Sequence, residues 1–511
     1  MLNWIKGSDS EHPLADDKSA REFIAELPPL DPYKSLQELC YWLEMLDSED
    51  QIKLPRLLEI VDLVDQAANS HQRKLSQEYL SSSARLQKFQ EIRIWSAVSA
   101  LWKALANAYD LCVARYQAKA GGSGSLKPQM PMVVGRALRA LTSQLKWQLL
   151  RYLPVEPRIW LQMGKLFAFA EESGFANTPV AIYPGPSGES TVQREFLKGL
   201  MLNISSTDSL LPVKLAIAER MVGQFSEFFV INRQPAKGCH YYFDLGAGKL
   251  PARVLSRLQA TPGLRFFGPG TAAQHLEKLI ATIQMDGAVP SHIKLEGSFD
   301  TEAVLETLRH LARYWAASPP ARSEERRKAV SRISVVHDFD EILSTISGGH
   351  KDLTFDSSVE LWTVENESTN GYGAIVPRAS SDWLRVGTLL GVRLEDRASW
   401  GVGIVRRFSA FDEKQRYVGI QVLTQGATVV KLAAVNSDPS QAENALLLPS
   451  INNETSGASE INLLLRPGAF SMQKSMEMRV HERTYLLVPR KLMEAGYDFD
   501  LARFRVLQQA K

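Results

Sequence analysis

Two hydrophobic periods divide this chain, and few architectures satisfy both. From Ser35 to about Glu172, apolar residues recur every three or four positions, as they do on one face of a helix. Leu36, Leu39, Cys40, Leu43 and Leu46 share such a face, and Leu57, Ile60, Val61 and Val64 continue it after Pro55. The stretch from Gln72 to Gln117 reads as one long helical run through Leu75, Tyr79, Leu86, Phe89, Ile92, Trp95, Leu101, Leu105, Tyr109 and Val113. So long an apolar face is not stable in water by itself, which predicts antiparallel helix packing. Helices follow over Val133–Tyr152 and Pro157–Glu172.

The last third changes period. Val386–Arg393, Trp400–Val405, Tyr417–Leu423 and Thr428–Leu432 are short apolar runs carrying Gly387, Gly391, Gly401, Gly403 and Gly419. Glycine at that density suits a tightly curved small barrel. Ile461–Leu465, Ser475–Val480, Arg483–Val488 and Phe499–Val506 add further strands beyond two Ser/Asn/Glu-rich loops. Between the two regions the signals mix. Leu210–Phe229, Gln274–Met285 and Thr301–Tyr314 read as helices, and His240–Phe243 and Leu264–Phe267 as short strands.

The predicted fold class is therefore α+β multidomain. It comprises a leader over 1–32, a helical domain over 33–185 and a mixed α/β middle segment over 186–316. A β-barrel with an arginine arm follows over 317–435, then an appended β unit over 436–511. At 511 residues, 45% hydrophobic and 23% charged, the chain has the length and composition for several globular cores. The leader is expected to be loosely held, because Pro13, Pro28, Pro29 and Pro32 interrupt it.

A net charge of +2 gives no general attraction to nucleic acid or anionic membrane, so any anion site must be local. Cys40, Cys112 and Cys239 make neither a disulfide framework nor metal-ligand spacing, which fits a reducing compartment. The N-terminus lacks the pattern of a signal peptide, and no run of about 18 apolar residues predicts a membrane span. A soluble, cytoplasmic protein without a metal is expected.

Two short segments bear chemistry. The first is Arg322-Ser-Glu-Glu-Arg326-Arg327-Lys328-Ala-Val-Ser-Arg332, running into the strand-like Ile333–Val336. The second is Glu365-Asn366-Glu-Ser368-Thr-Asn-Gly371-Tyr-Gly373, a small polar turn between the strand-like Val359–Val364 and Ala374–Val376. Taken singly, the cluster is equally the solvated end of a helix, and Asn-x-Ser-x-x-Gly an ordinary turn. Arg406-Arg407, between two later strands, adds either local positive charge near this turn or two exposed strand-end arginines.

Together, Arg-x-x-x-Arg, a strand and Asn-x-Ser-x-x-Gly resemble the PilZ domain, the receptor module for cyclic di-GMP in bacteria. The resemblance covers the C-terminal third at most. It implies that arm arginines grip guanine and phosphate while the turn holds the other side of the ligand. Arginine suits the task because it forks onto guanine O6/N7 or phosphate and stacks on bases. Arg322 and Arg326 have the four-residue spacing, and Asn366, Ser368 and Gly371 fit the turn. The arm's frame stays open. Arg332 is nearest the strand, Lys328 stands four residues before it, and Arg327 to Arg332 is one residue longer.

The implied function is a non-catalytic signalling receptor that couples cyclic di-GMP binding to a helical region engaging an unidentified protein partner. No other cofactor is implied. Two other readings remain. Phe243-Asp244-Leu245-Gly246-Ala247-Gly248 resembles the first motif of S-adenosylmethionine-dependent methyltransferases, although Leu250 replaces the third glycine and no run of βαβ units follows. Alternatively, the chain is a scaffold whose barrel no longer takes nucleotide.

Overall fold

The computed structural model describes residues 12–508 except 49–50, 82–87, 185–187, 255–257, 296, 298, 318–326, 349–358, 369, 378–382, 411–413, 436–441, 449–459, 481–482 and 497. It consists of two compact units, Met1–Ala321 and Arg322–Lys511. No described helix is long and apolar enough to cross a membrane.

The first unit is built on helices α1 (Asp17–Glu26), α2 (Pro32–Met45), α3 (Leu54–Ser81), α4 (Lys88–Gln117), α5 (Met130–Leu149), α6 (Pro157–Glu172), α7 (Val192–Ile204) and α8 (Pro212–Gln224). Capping sets several of their starts. Asp31 accepts from Lys34 N–H ahead of Pro32, and Thr191 accepts from Arg194 N–H at the start of α7. Four strands follow, β1 (Val230–Asn232), β2 (Tyr241–Asp244), β3 (Ala252–Arg253) and β4 (Leu264–Gly268), then α9 (Ala272–Asp286) and α10 (Thr301–Trp315). A large hydrophobic core runs through the unit, with Trp160, Phe167, Phe196 and Phe243 fully buried in it, and a smaller cluster gathers around Cys239, Leu264 and Phe266. Phe167 and Phe196 stack there at 4.2 Å.

Three expectations change here. The run from Gln72 to Gln117 falls in two helices, α3 and α4, and α3 takes Pro55 into its first turn, where its missing N–H costs nothing. Phe89 and Ile92 are exposed rather than on the packing face. Within the supposed leader, residues 12–32 are seated: His12, Leu14 and Ala20 are buried, and His12 Nε2 lies 2.8 Å from the Trp42 carbonyl.

The methyltransferase-like loop is also placed. β1–β4 form a small sheet of order β1-β4-β2-β3 whose pairs are all antiparallel. It holds no βαβ unit, and so no crevice at the carboxyl ends of parallel strands where a nucleotide would sit. Leu245 instead packs its backbone against Gly164 of α6, where a side chain would have no room.

The second unit is two barrels. The first comprises β5 (Arg327–Val336), β6 (Glu360–Ser368), β7 (Gly371–Pro377), β8 (Leu389–Leu394), β9 (Gly401–Ala410) and β10 (Gln415–Thr424), with α11 (Phe339–Ile346) between β5 and β6. It closes in the order β10-β7-β6-β5-β8-β9. The second comprises β11 (Thr428–Ala434), β12 (Glu443–Leu448), β13 (Glu460–Leu465), β14 (Met476–Val480), β15 (Arg483–Ala495) and β16 (Asp500–Gln508). It closes in the order β11-β12-β13-β16-β15-β14. Closure leaves no open strand edge on either barrel. Thr428–Leu432, expected in the first barrel, begins the second.

A shared core joins the barrels. Val336, Phe339, Ile342, Leu343, Leu389, Val402 and Ile404 pack with Leu446, Leu448, Leu464 and Phe499. Polar ties surround it. The Asp498 carboxylate accepts the Leu389 N–H at 3.1 Å to each oxygen, Arg466 pairs with Asp340, and Arg406 with Glu494.

Candidate ligand-binding face

The polar turn is smaller than its sequence suggests. β6 runs through Ser368 and β7 begins at Gly371, so Asn366, Ser368 and Gly371 all lie on paired strands, with Ser368 opposite Gly371. A bulge between Val364 and Asn366 puts an extra residue into β6. Bulges of this kind re-aim side chains. Asn366 consequently shares a face with Gly373, and its amide reaches the Tyr417 hydroxyl at 3.4 Å. Ser368 Oγ donates to the Gly371 carbonyl, also at 3.4 Å.

Gly371 has an ordinary negative φ, which corrects the turn reading: no left-handed backbone requires glycine there. Its reason is close approach. A Cβ would lie 2.5 Å from the Ile420 carbonyl oxygen of the adjacent strand. At Gly373 a Cβ would strike the Tyr417 hydroxyl and the Asn366 amide oxygen. The two glycines therefore let β6, β7 and β10 carry polar groups flat on the sheet.

The strand register assembles the rest. Lys328 pairs with Asn366, Asn366 with Gly373, Gly373 with Gly419, and Gly419 with Arg407. A second rung runs Arg332, Thr363, Ile375, Tyr417 and Ser409. Residues directly opposite one another share a sheet face, and the alternate positions Val364, Ala374, Val418 and Ile420 are buried in the barrel. From Asn366 to Arg407 and from Arg332 to Ser409, the two rungs thus belong to the outer face. With neighbouring strands about 4.8 Å apart, five strands span roughly 19 Å.

The arginine half divides accordingly. Arg322 and Arg326 lie outside the described residues. Arg332 is exposed and shares the outer face with Thr363 and Tyr417. Arg327 is exposed as well, but it stands opposite Glu367, whose next partner is the buried Tyr372. It therefore belongs to the other alternation. β5 begins at Arg327, six residues before the strand expected from Ile333 onward, so the arm's last residues are themselves barrel. Of the pair Arg406-Arg407, Arg407 is exposed on the outer face, while Arg406 is held by Glu494 from the second barrel.

Gly373, Tyr417 and Gly419 were not singled out for this face by sequence. A tyrosine two residues before a strand glycine was the available signal, and only the pairing gives it meaning. Among the described residues no group of three or more His, Cys, Asp or Glu side chains is arranged to hold a metal ion.

Comparison with known families agrees with this geometry. A model described as the cyclic-di-GMP receptor FimW, N-terminal domain, matches residues 18–236. A second, described as the cyclic-di-GMP receptor FimW, middle PilZ domain, matches residues 355–428. The second span contains Asn366, Ser368, Gly371, Gly373, Arg407, Tyr417 and Gly419 and begins after the arginine cluster. No curated protein and no solved structure matches the chain. The two models together cover more than half of the sequence in the order of that receptor, and the chain is a PilZ domain-containing protein of the FimW cyclic-di-GMP receptor family.

Proposed function

We propose that this receptor takes cyclic di-GMP on the outer face of the first barrel, with Arg332, Asn366, Ser368 and Arg407 as its polar contacts. Guanine presents acceptors at O6 and N7, which a guanidinium forks, and the two phosphates need cations. Asn366 and Ser368 add hydrogen bonds beside Gly371 and Gly373, whose missing side chains let a flat ligand approach. The carrying observation is the register of β5 on β6, which brings Lys328 and Arg332, four residues apart, onto the rungs of Asn366 and Thr363. That spacing supports the frame of Lys328 and Arg332 over the one-residue-longer frame of Arg327 and Arg332. Arg322 and Arg326 remain candidates for a second grip from the arm.

The protein acts by binding, as a bacterial cytoplasmic signalling receptor with no catalytic step. A receptor transmits by binding its ligand differently in two states. The arm stands in sequence between the helical unit and the barrel, so ligand contact with its arginines is the route by which the helical region would change its affinity for a protein partner.

Calorimetric titration of the full chain with cyclic di-GMP, and with GMP as control, tests the site. Arg332→Ala and Asn366→Ala should each bind about 10- to 100-fold more weakly, as expected for a lost charge-assisted or buried hydrogen bond. Arg327→Ala should change little. Normal binding by both of the first two variants, with loss in Arg327→Ala, would move the ligand off this face.

A further inference from the structure

The second barrel lies beyond the span matched by the middle PilZ domain model, which ends at residue 428, yet it reaches the face just described. Arg406 is the extra residue of a bulge in β9: Gly419 pairs with Arg407 and Ile420 with Val405, leaving Arg406 between them. Its Nε–H donates to Gln421 Oε1 at 2.7 Å. Gln421 in turn pairs with Gly371 of β7, so the guanidinium lies on the outer face one strand away from Gly371 and two from Ser368. Its terminal nitrogens fork onto the carboxylate of Glu494, with Nη2 donating to Oε2 at 2.7 Å. Glu494 belongs to β15, in the second barrel.

Three features make this pair exchangeable rather than structural. The Arg406 and Glu494 side chains are 36% and 29% exposed, so the contact is open to solvent and to a competing anion. The fork that a guanidinium offers to a carboxylate is the one it offers to a phosphate. And the end of β15 is irregularly paired: its ladder with β16 shifts register between Pro489 and Lys491 and again between Leu492 and Glu494, with Glu494 opposite Leu501 and Ala495 opposite Asp500. Lys491, Leu492, Met493 and Ala495 around it are exposed.

We propose that Glu494 holds Arg406 in the place of a ligand phosphate, and that cyclic di-GMP takes Arg406 from it. The second barrel then senses occupancy of the first through release of the Lys491–Ala495 end of β15. This rests on the ligand reading given above, and it adds a specific task to the second barrel: a carboxylate competitor whose displacement reports binding.

The test is a double-mutant cycle on the full chain, read by calorimetric titration with cyclic di-GMP. Glu494→Gln keeps the side chain's shape but removes the competing charge, and should tighten binding at least threefold. Arg406→Ala should weaken it about tenfold, and Arg406→Lys, which keeps charge but lacks the fork, should behave similarly. In the Arg406→Ala background Glu494→Gln should have no effect. Amide exchange across Lys491–Ala495 should quicken on ligand in the wild type and stay constant in Arg406→Ala. Unchanged or weaker binding by Glu494→Gln overturns the proposal. Equal tightening in both backgrounds does so too, since it marks only the general repulsion of an anionic ligand by a nearby carboxylate. A wild type and a Glu494→Gln variant that both fail to bind overturn the ligand reading itself, which separates the two failures.

Discussion

Gly371 shows how much a single residue's role depends on its neighbours across the sheet. Its sequence context invites a turn with unusual backbone angles, but its φ is negative and its constraint is the Ile420 carbonyl 2.5 Å from any added Cβ. The consequence differs from that of a turn glycine. Even alanine, which adds a single methyl group, forces β7 away from β10, at about 1–3 kcal/mol, the usual cost of overpacking. We expect Gly371→Ala to lower unfolding stability by that amount in urea titration and to weaken cyclic di-GMP binding with it. A variant of unchanged stability would mean that the two strands separate at no cost.

Elements are held together here by polar ties at their ends, and Asp498 is the clearest. It precedes β16 and receives the backbone N–H of Leu389 at the start of β8, so it fastens one barrel to the other. Burial raises its pKa from the ordinary 3.8 to about 6, the Leu389 N–H opposing and the charge of Asp338 adding to the rise. The folded protein therefore holds this proton more tightly than the unfolded chain does. Stability from this group is fully present below about pH 4 and is lost as pH rises through 6. At pH 7 the loss is about 3 kcal/mol. Asp498→Asn should remove the dependence and be the more stable variant at pH 7. Thermal unfolding of both from pH 4 to 7.5 checks this, and a melting-temperature difference that stays constant over that range would rule the account out.

At the scale of the whole molecule, the chain divides into two units with separate cores. The second closes both its barrels and carries all the described residues of the proposed face. Residues 322–511 expressed alone should therefore fold and bind cyclic di-GMP within about threefold of the full chain, a difference below 1 kcal/mol. A folded fragment without binding would place a ligand contact in residues 1–321.

How much of this was legible beforehand follows from the range of the interactions. Helix faces, strand runs and the Asn-x-Ser-x-x-Gly segment depend on residues a few positions apart, and these were read from the chain directly, as was membership in the PilZ family. The register of β5 on β6 was not. A slip of one residue turns every side chain to the opposite face: Arg327 and Arg332, five residues apart, alternate, while the bulge in β6 between Val364 and Asn366 brings Asn366 onto the proposed face with Thr363. Thr428–Leu432 looks no different from a first-barrel strand until its pairing with β12 and β14 is known. Arg406 and Glu494 stand 88 residues apart, and nothing local in either segment marks the other as partner. Local periodicity and short motifs gave many of the long helices and strands. Long-range strand pairing decided which side chains meet, because a strand's hydrogen bonds are completed only by another strand.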